Sequence, residues 1–163
     1  MPKPRKCGTC TACCQGTGLA VEPVRKERWG TCDHLIDVGH KRLCGIYDER
    51  PKGCRDFECL WLQGLIDAMH RPDRCGLMFS ATAASDVFVA DGQGVRQAAV
   101  AYEVWPGAAT TGDGFHLIQM LSKRVLVILR RPDGMVLYGP PAVVAQAQRA
   151  MLLKKNEGAS HAD

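Results

Sequence analysis

Read for the spacing of apolar and polar residues, the chain falls into two unlike halves. From Gly76 onward, short β-type runs occupy Leu77 to Thr82, Val87 to Ala90 and Ala98 to Trp105, separated by turn chemistry such as Asp91-Gly92-Gln93-Gly94. Phe115 to Leu121 has helical spacing. Val125 to Arg130, then Pro132-Asp133-Gly134, then Met135 to Tyr138 predicts a hairpin. The run Val125-Leu126-Val127-Ile128-Leu129 is apolar on both faces, which predicts a strand covered on each side. After Pro140-Pro141, the stretch Ala142 to Lys155 sets Val144, Ala147 and Met151 on one helical face, and Asn156 to Asp163 should fray.

Before Gly76 the periodicity is weak, and most of the segment reads as irregular. One helix is expected from Asp48 or Glu49, with Pro51 at its first position, through Cys59-Leu60-Trp61-Leu62 to Gly64. Shorter helices are expected after Pro23 and around Leu65 to His70. The expected fold class is α+β: a loop-rich, metal-stabilised cysteine-cluster segment over residues 1–75, packed on a small antiparallel sheet with two or three helices over residues 76–163. At 163 residues the two make one compact domain.

Composition changes the picture at one point. Apolar residues at 46% and charged residues at 23% are ordinary, but nine cysteines are not, and all nine lie between Cys7 and Cys75. No apolar leader precedes Cys7 and no run approaches a membrane span, so a cytoplasmic protein without a membrane partner is expected, with thiols rather than disulfides. The formal charge of +4 is spread over both halves, and each four-thiolate metal site would subtract about two charges. With no aromatic-interleaved basic face and no classical finger spacing, nucleic acid is not an expected partner.

The cysteines themselves carry the chemistry. In Cys7-Gly8-Thr9-Cys10-Thr11-Ala12-Cys13-Cys14, three-residue intervals and small intervening residues let a tight loop turn several thiolates towards one centre, as in iron–sulfur loops. Adjacent side chains usually diverge, so Cys13 and Cys14 are expected to serve different centres. Cys32, Cys44, Cys54 and Cys59 complete a set of eight. Cys54 and Cys59 are separated by about 140° on a helical wheel, so either the helix breaks between them or they serve two sites. Eight thiolates suit two zinc ions, or an iron–sulfur cluster with or without a zinc ion, and the loop spacing tips the preference slightly to iron–sulfur. His34 and His40 are possible substitute ligands, and Cys75 is expected to be a bystander. Arg50 and Arg55 can donate to thiolate sulfur from around the centre, and Tyr47 is either core or a further donor.

The order Cys7-x2-Cys10-x2-Cys13-Cys14, Cys32, and Cys44-Gly45-Ile46-Tyr47-Asp48-Glu49-Arg50-Pro51-Lys52-Gly53-Cys54-Arg55-Asp56-Phe57-Glu58-Cys59 resembles the YkgJ-like cysteine-cluster family, described as a zinc- or iron-chelating domain. The resemblance covers residues 7 to about 62. It implies a metal-binding role for the eight cysteines and leaves the metal open. The pattern is also similar to that of flagellin lysine N-methylases, which implies a metal-dependent enzyme with redox or methyl-transfer chemistry as one alternative. A structural zinc protein that binds a partner is the other. No nucleophile elbow, P-loop or H-E-x-x-H motif points to a particular reaction.

Overall fold

The structure is a computed structural model, and it describes residues 5–16, 20–21, 24–26, 29–83 and 97–159. The expected strand Val87 to Ala90 and the turn at 91–94 lie outside the described residues. In chain order the elements are α1 (Ala12–Gly16), β1 (Ala20–Val21), β2 (Val24–Arg25), β3 (Leu35–Val38), β4 (Lys41–Cys44), α2 (Lys52–Asp56), α3 (Pro72–Cys75), β5 (Leu77–Ala83), β6 (Gln97–Glu103), α4 (Gly112–Leu121), β7 (Leu126–Arg131), β8 (Gly134–Tyr138) and α5 (Pro141–Ala159).

The fold is α+β. Its main sheet has the order β5-β6-β7-β8. The expectation of an all-antiparallel sheet is corrected here: β5–β6 and β7–β8 are antiparallel, but β6 and β7 are parallel, with Val100 opposite Ile128. The reason lies in α4, because a helix between two neighbouring strands carries the chain back to the starting end of the sheet.

The expected covered strand is present. Leu126, Val127, Ile128 and Leu129 are each at most 1% exposed. Alternation divides them between two layers. Val127 and Leu129 pack with Phe79, Ala101 and the α4 residues Leu117 and Ile118, while Leu126 and Ile128 pack with Val144, Ala147 and Met151 of α5. Burial of each large apolar side chain contributes about 1.5–3 kcal/mol, so this doubly covered strand anchors the sheet. Pro141 occupies the first position of α5, as its fixed φ favours, and the helix extends to Ala159.

Gly114 lets α4 approach closely: a Cβ there would stand 2.3 Å from the carbonyl oxygen of Ala108 and 2.7 Å from that of Cys75. Glu103 ties down the loop before this helix, its carboxylate accepting from the Ala109 amide at 2.9 Å and facing Arg131 Nε at 3.3 Å.

The cysteine-rich segment wraps the free edge of β5. Leu60, Trp61 and Ile66 enter the α4-side core, and the Leu60 amide donates to the Phe79 carbonyl at 2.8 Å. Arg5 clamps this stretch, donating from Nη1 to the carbonyls of Trp61 at 2.7 Å and Ile66 at 2.5 Å while lying over the Trp61 ring.

Local structure here departs from expectation. The helix drawn through Gly64 is only α2, with Pro51 capping it and Phe57 already extended. Residues 65–70 form turns rather than a helix, and β2 follows Pro23 where a helix was expected. In place of loop, Leu35–Val38 and Lys41–Cys44 form a hairpin.

Candidate metal centre

Six local segments carry the eight thiols. Cys7 and Cys10 sit on a tight turn in which the Cys10 amide donates to the Cys7 carbonyl at 3.0 Å, and Gly8 takes the left-handed φ of 57° that this turn needs. Cys13 and Cys14 lie on α1, and the Cys14 carbonyl accepts from the Cys32 amide at 3.0 Å, docking a remote segment beside the first. Cys44 ends β4. Cys54 is on α2, and the extended Phe57 releases the chain so that Cys59 can turn back, the broken-helix alternative of the two that the spacing left open.

These pieces converge on two adjoining small cavities. The larger, about 40 Å³, is lined by Cys7, Cys10, Cys13, Cys14, Cys32, Cys44 and Cys54. The smaller, about 30 Å³, is lined by Cys7, Cys10, Cys13, Cys54 and Cys59. All eight thiols thus face this region, with Cys14, Cys32 and Cys44 on one side and Cys59 on the other. The Cys13 and Cys14 sulfurs are 4.0 Å apart, so these neighbours do not diverge as expected.

His34 lines the larger cavity, whereas His40 is exposed at the β3–β4 turn. Cys75 stands apart. It is 4% exposed in the α4-side core, and its thiol donates to the carbonyls of His70 and Leu77, both at 3.4 Å. Tyr47 and Arg50 line the larger cavity, with the guanidinium 3.9 Å from the ring centroid and Nε donating to the Tyr47 carbonyl at 2.8 Å. Arg50 also pulls the Cys7 thiol downward against a rise caused by burial and by Cys13 and Cys59. Arg55 is placed differently: its exposed guanidinium donates to the Arg50 carbonyl at 2.6 Å, bracing the backbone from outside.

Sequence reasoning missed Lys26. It is 7% exposed, lines the larger cavity and donates to the Gly30 carbonyl at 3.4 Å. Burial lowers its pKa, while Cys14, Cys13, Cys32 and Cys54 act in the opposite sense. Nothing in Val24-Arg25-Lys26-Glu27 distinguishes a buried lysine from a solvated one.

Among the bare thiols, Cys7, Cys10, Cys13, Cys54 and Cys59 are all shifted upward. Burial raises Cys54 and Cys59 and pushes Cys10 up to about 11, and a shared proton with Cys14 together with burial raises Cys13 strongly. A metal ion bound by these thiols would displace their protons. The eight cysteines, with His34 beside them, would offer a sulfur-rich donor set that fits zinc, copper(I) or iron–sulfur chemistry better than magnesium or calcium. Two thiolates on one tetrahedral ion at a metal–sulfur distance of about 2.3 Å stand about 3.8 Å apart, close to the Cys13–Cys14 spacing. Among the described residues, no group of three or more His, Cys, Asp or Glu side chains is closed to metal-cage distances; the thiols border the cavities rather than meet at one point. No family model, curated protein or solved structure matches the chain.

Proposed function

We propose that this is a cytoplasmic metal-binding protein whose cysteines 7, 10, 13, 14, 32, 44, 54 and 59 hold an iron–sulfur cluster, zinc, or both. The observation that carries the reading is that all eight cysteines, drawn from six local segments, line two adjoining cavities, while the ninth cysteine is held in an ordinary core. Eight clustered thiols, seven of them partly exposed, are a redox liability unless ligated, and Arg50 and Lys26 supply positive charge that a thiolate cluster needs nearby. The resemblance of the cysteine order to that of the YkgJ-like proteins is in keeping with this reading.

The 4.0 Å spacing of Cys13 and Cys14 supports a second, narrower statement about this pair: both sulfurs suit one metal ion, as in a zinc site or a two-iron cluster. Metal and sulfide analysis with a visible spectrum, on protein purified without oxygen, tests the proposal. Iron with matching sulfide and a brown colour identifies a cluster, and about two zinc ions per chain in a colourless solution identifies paired four-thiolate sites. Protein that carries neither, and takes up neither on reconstitution, refutes the proposal.

A further inference from the structure

A second cavity lies outside the cysteine cluster, and neither the metal-binding proposal nor the cysteine pattern accounts for it. Its volume is about 600 Å³, within the range of small-molecule sites. It opens beyond the carboxyl ends of β6 and β7, the parallel pair, where Val104 to Gly107 leave one strand and Arg130 to Asp133 end the other. That is where open sheets with parallel strands carry their ligands.

The lining has a definite chemistry. Trp29 and Trp105 supply indole walls, Trp105 being 43% exposed. Trp29 is the one described non-glycine residue with a positive φ, 71°, and its ring sits 5.7 Å from that of Tyr102. A bulky side chain held in this region is strained, and such strain persists where the surroundings fix a side chain for use. Tyr102 pairs across the sheet with Arg130, so indole, phenol and guanidinium occupy one corner.

The two arginines differ in their partners. Arg131 faces Glu103 at 3.3 Å, whereas Arg130 has no ion pair among the described residues, and the Nε of each is buried without a hydrogen-bond partner. A buried guanidinium N–H left unpaired is costly, and an oxyanion is the partner that matches its fork. We infer that this cleft binds a small molecule with a planar ring and an anionic group, the ring resting against Trp29 or Trp105 and the phosphate or carboxylate meeting Arg130.

The cleft and the thiol cavity share two segments. Gln15, which follows Cys14 on α1, lines the cleft and donates to Thr11 Oγ1 at 3.3 Å. Trp29 leads within three residues to Cys32. The cleft nonetheless does not depend on the metal, because Trp105, Arg130 and Glu103 belong to the sheet half.

Titration of the purified 163-residue chain with adenosine 5′-monophosphate and with indole-3-acetate, followed by tryptophan emission and calorimetry, tests the inference and separates phosphate from carboxylate. At least one is expected to bind saturably, with its uncharged counterpart, adenosine or indole-3-acetamide, binding about tenfold or more weakly. Arg130→Gln should weaken binding by about tenfold or more, and Arg130→Lys by less, because the charge remains. No saturable binding of either anion up to about 10 mM overturns the inference, as does equal binding of the charged and uncharged members of both pairs. The ligand comparison on the unaltered chain decides the matter even where Arg130→Gln does not fold.

Discussion

Two arginines five residues apart illustrate how far residue type alone determines a role. Arg50 faces Cys7 across the larger cavity, whereas Arg55 is exposed and reaches the Arg50 carbonyl. Arg50→Gln is therefore expected to speed metal loss to a competing chelator by about tenfold, in line with altered partners of metal ligands. Arg55→Gln should change it by much less. Cys75 gives a contrasting prediction. Burial raises its thiol above the ordinary range, so the neutral form stabilises the fold below the unfolded-state value, and that contribution disappears as pH rises through the folded-state value. Cys75→Ala should leave metal content unchanged and cost about 1 kcal/mol at neutral pH. Denaturant titrations at pH 7 and at about pH 10 should show the gap between variant and parent narrowing, since only the parent loses a contribution. The eight cysteines and Arg50 were legible because type and spacing announce them. Lys26 was not, because its burial is decided by Cys13, Cys14 and Cys32 folding around it.

At the scale of elements, the sheet half followed its pattern closely. β5, β6, β7, β8, α4 and α5 all lie where apolar periodicity and the proline and glycine positions put them. Strand direction was not legible: alternation in Ala98 to Trp105 reads the same whether its neighbour runs parallel or antiparallel. The cysteine half resisted for a different reason. Its helices are four or five residues long, too short for periodicity, and the hairpin Leu35–Val38/Lys41–Cys44 has an exposed outer strand that reads as loop. Packing tolerance at the junction is testable. Gly114→Ala improves helix propensity by about 1 kcal/mol, yet its methyl must displace two carbonyl oxygens. A net loss of about 1–3 kcal/mol is expected, read as a lower melting temperature.

For the whole molecule, burial is unevenly shared. Between residues 5 and 59 the buried apolar side chains among those described are Ala12 and Cys32, whereas the stretch from Leu60 through Ala147 supplies the buried members of both central clusters. Cohesion of the first half must then come from elsewhere, and on the proposed function it comes from metal–thiolate bonds. Removal of the metal by a chelator is expected to abolish hydrogen-exchange protection over residues 7–59 while β6 and β7 keep theirs. Uniform loss along the chain would show a single cooperative unit instead. Arg5→Ala should loosen the same seam, costing about 1.5–3 kcal/mol because its guanidinium serves two carbonyls.

The seam along β5 has a consequence for solubility. With the Leu60 amide withdrawn from the Phe79 carbonyl, the outer side of β5 offers a row of unpaired backbone groups beside Leu77 and Phe79, the arrangement that recruits strands from other chains. Metal-depleted protein should therefore associate with itself in a concentration-dependent way that light scattering detects, and the metal centre would then act as a gatekeeper against aggregation.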